Sequence, residues 1–189
     1  MDWYVLFVET GKEEITKDFI NKKLSKSNIR CIIPKRKVPE KKQGITYHCI
    51  KLMFPGYVLI ELKLDYKIYY QLKEIPTLIR LLNYNSPKYY YTPDEDEGFD
   101  ESDCFKKINS KEMQFLIKLI GDEGILDYSE LFIENSNVTV LSGPLKNREG
   151  IIKRVDKHKN RAKVEFNFLD RVCILDVGVQ ILYTKDDRL

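Results

Sequence analysis

Leu52-Met53-Phe54-Pro55-Gly56-Tyr57-Val58-Leu59-Ile60-Glu61 is the stretch on which the fold turns. It opens through a Pro-Gly break and then alternates as a strand does, with Val58, Ile60 and Leu62 on one face and Tyr57, Leu59 and Glu61 on the other. Glu61 marks the second face as the wetter one. Val58, Ile60 and Leu62 are therefore expected in the core, and Tyr57 and Leu59 are expected as apolar groups outside it. The amino-terminal stretch repeats the pattern, Tyr4, Leu6 and Val8 against Val5, Phe7 and Glu9. Pairing the two strands gathers Phe7, Tyr57 and Leu59 into one patch, which is either a docking surface or the seat of a helix of the same domain.

Working outward, Thr10 and Glu13 have the spacing of a capping box for a helix. Ile15, Phe19, Ile20 and Leu24 form its apolar side and are expected to lie on the sheet, with Lys12, Lys17, Lys22 and Lys23 outside. Arg30 to Val38 reads as a strand, its end made irregular by Pro34 and Pro39. A basic hairpin follows, Lys35, Arg36, Lys37, Lys41 and Lys42 against Glu40, with a turn at Gly44. Its tip is either simply solvated or a phosphate-facing surface. Asp65 to Glu74 reads as a helix ended by Pro76, and Leu78 to Leu82 as a strand. The order strand, helix, strand, strand, helix, strand predicts an α+β domain with helices packed on an antiparallel sheet. Asn83 to Asp103 reads as an acidic surface loop; it lacks the ligand spacing of a calcium loop. Ser110 to Gly121 reads as a further helix carrying Met113, Phe115, Leu116, Leu119 and Ile120.

From Val138 the period becomes that of short strands: Val138–Leu141, Gly150–Val155, Arg161–Phe166, Arg171–Val177 and Gln180–Tyr183. Five of them predict a small SH3-like β-barrel. The expected division is thus a domain over residues 1–122, a linker over 123–136 and the barrel over 137–189. Within the barrel eleven basic residues face seven acidic ones, a balance of +4 against +3 for the whole chain. The cations concentrate in two loops. Lys146, Arg148, Lys153, Arg154, Lys157, His158, Lys159, Asn160, Arg161 and Lys163 are the candidate RNA-binding residues. Arg and Lys neutralise phosphates, Asn pairs with base edges and His stacks on an unpaired base. The plainer alternative is a solvated, lysine-rich turn. Lys153 and Arg154 fall on opposite faces of one strand, and Gly150 is expected to permit close backbone packing at that strand's start.

Composition narrows the classes. The chain has 189 residues, 43% of them hydrophobic and 32% charged with nearly balanced signs, so any nucleic-acid surface must be local. Cys31, Cys49, Cys104 and Cys173 are scattered, and with only His48 and His158 beside them no metal site is expected. No glycine-rich phosphate loop, nucleophile elbow or zinc-protease motif occurs, so neither an enzyme nor a cofactor is expected. No secretory signal and no uninterrupted run of about 18 apolar residues appears, which predicts a soluble, cytoplasmic protein.

Trp3-Tyr4-Val5-Leu6, a basic helix and Phe54-Pro55-Gly56-Tyr57-Val58 together resemble the amino-terminal domain of the NusG family of transcription elongation factors. Gly143-Pro144-Leu145-Lys146-Asn147-Arg148-Glu149-Gly150-Ile151-Ile152 resembles that family's KOW motif. The run Asp156-Lys157-His158-Lys159-Asn160-Arg161-Ala162 resembles the specialised LoaP-type paralogues, which act on particular operons and recognise an RNA hairpin in the leader. The resemblance implies that Phe7, Phe54, Pro55, Tyr57 and Leu59 dock on the clamp coiled coil of the largest subunit of bacterial RNA polymerase. Bound there, the first domain would bridge the cleft over the DNA of the transcription bubble. It further implies a monomeric antiterminator whose barrel holds a leader RNA hairpin. Two alternatives stay open: a general NusG-type factor, whose barrel meets a ribosomal protein or a termination factor, and a ribosome-associated RNA-binding protein of the KOW class.

Overall fold

The computed structural model describes residues 1–25, 27–82, 105–134 and 137–182; the expected acidic loop, its three tyrosines Tyr89 to Tyr91, and the residues from Tyr183 onward lie outside the described residues. In chain order the elements are β1 (Asp2–Val8), α1 (Glu13–Lys23), β2 (Arg30–Ile32), β3 (Lys35–Lys42), β4 (Ile45–Leu52), β5 (Tyr57–Leu62), α2 (Tyr66–Lys73), β6 (Leu78–Leu81), α3 (Ser110–Ile120), β7 (Ile125–Leu126), β8 (Ser129–Glu134), β9 (Asn137–Ser142), β10 (Ile152–Asp156), β11 (Arg161–Phe168) and β12 (Arg171–Leu182). They form two compact units, one of Met1–Ile33 and Phe54–Ser110, the other of Pro34–Met53 and Lys111–Leu189. The architecture is α+β, with a helix-backed antiparallel sheet and a curled carboxy-terminal sheet.

In the first unit four strands lie in the order β2-β5-β1-β6, every neighbouring pair antiparallel. Register pairs Tyr4 with Ile60 and Leu6 with Val58, and these four side chains are fully buried. Helix α1 lies against β2 and β5, and α2 against β6. Asp65 caps α2, its carboxylate accepting the Ile68 N–H at 2.7 Å, as expected of an Asp one residue before a helix.

Helix α1 departs from its expected face. Ile15 and Phe19 are 45% and 43% exposed, and the stripe that meets the sheet is Glu13, Thr16, Ile20 and Leu24. Two polar side chains enter that stripe because each finds a partner. The Thr16 hydroxyl donates to the Lys12 carbonyl at 2.8 Å and lies 2.6 Å from that of Thr77. Glu13 completes no capping box with Thr10, and Lys12 holds the cap position without a side-chain bond. Instead Glu13, only 3% exposed, accepts the Gly56 N–H at 2.7 Å. Burial alone would raise the Glu13 pKa; hydrogen bonds from the N–H groups of Gly56, of Glu13 itself and of Gly11 outweigh it and hold the carboxyl below its ordinary value.

In the second unit β3 and β4 form the basic hairpin, closed by Gln43 and Gly44 at φ 51 and 81, the two left-handed positions of a type I′ turn. Strand β7 pairs parallel to β3, and Phe115 of α3 packs on Phe166 with ring centroids 5.5 Å apart. The larger sheet has the order β10-β11-β12-β8-β9. Its curl comes from β12, which pairs with β11 through Gly178 and with β8 from Val179 onward. The expected strands Arg171–Val177 and Gln180–Tyr183 thus fall, as far as Leu182, in one long bent strand. The fifth strand is β8, inside the stretch expected to link. Its core signal is two residues, Ser129 and Leu131, too few to register as a strand in sequence.

Replacing Glu13 with Ala should leave the Gly56 N–H buried without an acceptor and destabilise the protein by about 1–3 kcal/mol in urea unfolding. Because the folded pKa is depressed, the stability that wild type holds over Glu13→Gln should be complete above the unfolded value near 4.5 and vanish as pH falls through the lower folded value. Unfolding curves of the two proteins at neutral pH and in acid check the sign.

Candidate functional site

The first site grows from strand register. Phe7 and Tyr57 are direct partners across β1 and β5, and their rings meet edge to face with centroids 5.5 Å apart. On the other side of Phe7, its β6 partner Arg80 lies with its guanidinium 5.7 Å from the ring centroid. Phe54 and Tyr57 are half-buried, and Pro55 is exposed. Leu59 is fully buried, flanked in register by Val5 and Ile32, against its expected exposure. The inference from Glu61 failed because that face is open only at its two ends, at Tyr57 and at Glu61, which sits between Arg30 and Trp3. The accessible patch is therefore Phe7, Phe54, Pro55 and Tyr57, with Arg80 at its rim. Arg80 escaped the sequence reading because nothing before strand pairing connects it to Phe7.

The candidate RNA-binding residues separate into two groups. Arg148 donates to the carbonyls of Pro144 and Lys146 at 3.0 and 3.2 Å, bracing its own loop. Arg161 donates from Nε to the Pro39 carbonyl at 3.0 Å, reaches the same oxygen with a second nitrogen, and lies 3.8 Å from Glu40. These two guanidiniums are engaged by the protein itself. Lys153 pairs with Glu165 at 3.2 Å, Lys163 with Asp176 at 3.3 Å and Lys159 with Asp156 at 3.8 Å. Exposed pairs of this kind are worth at most about 1 kcal/mol, so a phosphate can displace them. Lys146, Arg154, Lys157 and His158 are exposed and carry no ion pair among the described residues. Asn160 stands at φ 50, closing the turn between β10 and β11. The Asp156 carboxyl is held below its ordinary value, first by the Lys159 N–H, and so fixes that turn. Arg154 and Lys163 are direct register partners, a like-charge pair relieved by Asp176 opposite Lys163.

The β3–β4 hairpin belongs to this unit and meets the barrel at several points. The Arg36 guanidinium donates to the Asp176 carbonyl, and Lys37 pairs with Asp127 at 2.7 Å. The Tyr128 hydroxyl lies 2.7 Å from His48 Nδ1. Gly178 admits the hairpin backbone, since a Cβ there would fall 2.9 Å from the Lys37 carbonyl and 2.4 Å from the Tyr128 ring. Sequence reading placed the hairpin and the barrel in different domains.

Comparison with known proteins gives a consistent result. The family model described as "Transcription termination factor nusG" matches residues 1–97, and the KOW motif model matches residues 134–165. Among curated relatives, the "Transcription termination/antitermination protein NusG" of Rickettsia prowazekii is 24% identical over 97% of this chain and 90% of its own length. The protein of that name from Buchnera aphidicola is 28% identical over 89% and 88%, and that from Bacillus subtilis 24% over 100% and 98%. The solved structure described as "Domain interaction in Thermotoga maritima NusG" is similar in fold, with a TM-score of 0.57 at 20% identity over 94% of this chain and 93% of that one.

The two glycines of the KOW stretch have unequal roles. A Cβ on Gly143, at φ +90, would fall 2.5 Å from the Tyr128 carbonyl and 2.7 Å from Ser129 Cα, whereas one on Gly150 meets nothing within 4 Å. The close approach expected at Gly150 is thus made at Gly143. Gly143→Ala should destabilise the protein by roughly 1–3 kcal/mol or more, as overpacking against backbone does. Gly150→Ala should stay within about 0.5 kcal/mol of wild type in the same denaturation assay.

Proposed function

The chain belongs to the NusG family, and we propose that it is an antitermination factor that binds bacterial RNA polymerase through its first unit and a leader RNA hairpin through its barrel. The observation that carries the reading is the row Tyr57–Phe7–Arg80, an accessible aromatic pair with a cation at its rim, borne on three hydrogen-bonded strands. An aromatic centre with an arginine at the edge is the composition of an energetically dense protein interface. Phe54 and Pro55 extend it through the turn before β5. Leu59, two residues along β5 from Tyr57, is buried between Val5 and Ile32 and touches no partner directly. The docking partner is the clamp coiled coil of the largest polymerase subunit, and the domain then spans the cleft over the bubble DNA.

The work is binding. A protein that holds the elongating conformation more tightly than the paused one shifts the equilibrium by the difference of the two affinities. Specificity comes from the barrel, where Lys146, Arg154, Lys157, His158 and the displaceable Lys153, Lys159 and Lys163 face a structured RNA. Arg148 and Arg161 maintain the loop and the joint that present them. In this role the protein acts in the cytoplasm as a monomer and needs no cofactor. None of the described helices is long and apolar enough to cross a membrane.

Single-round transcription by bacterial polymerase through an intrinsic terminator tests the proposal. With wild-type protein, readthrough should rise only on templates carrying the native upstream leader. Equal effects with and without the leader would indicate a general NusG-type factor, and no effect on either would favour the ribosome-associated alternative. Tyr57→Asp puts a charge into the aromatic row and should abolish both readthrough and co-purification with polymerase while leaving the fold intact. Unchanged polymerase binding would place the docking face elsewhere.

A further inference from the structure

The β3–β4 hairpin does more than pack on the barrel: its hydrogen bonds set where its tip emerges. Arg36 reaches the carbonyl of Asp176, the Lys37 carbonyl lies against Gly178, and the Pro39 carbonyl is held by Arg161. Asp176 is the register partner of Lys163 and Gly178 that of Arg161. Each step along β3 toward its turn is therefore a step along β11 back toward the turn at 157–160. The Val179 N–H donates to the Asn160 carbonyl at 3.0 Å, holding that turn on β12. Two basic turns that lie more than a hundred residues apart in sequence leave the unit at the same end. One presents Lys41 and Lys42, the other Lys157, His158 and Lys159.

At a strand rise of about 3.3 Å per residue, Lys42 lies on the order of 10 Å beyond the Pro39–Arg161 joint. The acidic groups near the joint are already occupied. Glu40 pairs with Lys51 and lies beside Arg161, and Asp156 caps the second turn and pairs with Lys159. What remains is cationic, and Tyr47 on β4, opposite Glu40 in register, is 49% exposed beside it.

We propose that the β3–β4 tip and the β10–β11 turn form one composite RNA site, in which a hairpin's paired stem lies across both sets of lysines. The site rests on the RNA-binding reading above and enlarges it from a barrel loop to a surface drawn from both ends of the sequence. A hairpin suits this surface better than a single strand or a plain duplex. Its stem presents closely spaced phosphates to Lys41, Lys42, Lys157 and Lys159, recognised by shape, and its loop offers unpaired bases for Tyr47 and His158 to stack on.

The test uses the full chain, a labelled RNA stem-loop and the DNA hairpin of the same sequence, with affinity read by fluorescence anisotropy across a salt series. Lys41→Ala with Lys42→Ala should weaken RNA binding and lower the log-log salt slope by about one to two, the larger share from Lys42, which leaves β3 on the Tyr47 face while Lys41 leaves on the other. Lys157→Ala with Lys159→Ala should lower it by a similar amount, and all four together by about the sum. Tyr47→Ala should weaken binding without changing the slope. All these lysines are exposed at turns, so circular dichroism should match wild type. Weakening confined to the 157/159 pair would overturn the composite site and leave the barrel reading standing. Weakening confined to the 41/42 pair would overturn it from the other side. Absence of binding by wild type would sink both readings, and equal affinity for the DNA hairpin would overturn the assignment to RNA.

Discussion

A buried carboxylate holds the presenting edge of the first unit together. Glu13 accepts the Gly56 N–H at 2.7 Å while the Gly56 carbonyl accepts the Val8 N–H at 2.8 Å. One glycine thus ties the start of α1, the end of β1 and the Phe54–Tyr57 turn into a single joint. Gly56 stands at φ +81, and a Cβ there would press on the Phe7 ring and the Thr10 hydroxyl at 3.3 Å, so the joint admits no larger residue without a shift. On the proposed reading, a patch carried on such a joint reaches its partner already ordered. It then loses little conformational entropy on docking, which is where much of the gross energy of a small interface otherwise goes.

The second unit obeys a related constraint with arginine in place of glutamate. Arg36 and Arg161 both deliver guanidinium hydrogen bonds to backbone carbonyls, Arg36 from the hairpin to the barrel and Arg161 from the barrel to the hairpin. A guanidinium stays charged at any physiological pH and offers donors in a fixed fork, so it brings two strands into a defined offset as no lysine would. Burial lowers the Arg36 pKa, but its ordinary value is high enough that the charge persists. The lysines that surround these hydrogen bonds have no such duty. Arg36, Arg148 and Arg161 brace the backbone of this unit, whereas Arg154 stays exposed with the lysines of the two turns, a distinction that net charge conceals.

Strand identity, the α+β class and the pairing of Phe7 with Tyr57 were legible because period-two alternation survives in β1 and β5. The turn at Gly44 was equally legible, being fixed by one residue type in one local geometry. What was not legible depends on partners distant in sequence. Glu13 at capping-box spacing gave no sign that its carboxylate would serve Gly56, 43 residues on. Leu59 was placed on the correct face, yet its burial follows from Val5 and Ile32 beside it, which alternation along one strand does not report. Arg148 and Arg161 were grouped with the lysines because charge is visible in sequence and a carbonyl partner is not. The hairpin was assigned to the first domain because it lies between β2 and β5, although it packs on β12.

On the proposed reading the small size of the aromatic patch becomes part of the mechanism. A handful of residues falls short of the roughly 800 Å² per partner typical of stable protein complexes, so such a patch alone binds weakly. A barrel holding RNA that is itself being extruded from the polymerase changes the problem from bimolecular to intramolecular. A short tether supplies an effective concentration in the millimolar range, enough to saturate a patch of modest affinity. Polymerases transcribing other RNAs offer the patch no such local excess and stay mostly unoccupied. Selectivity for particular transcripts then needs no sequence-specific contact with the polymerase; it follows from a weak docking face and an RNA-binding face on one chain.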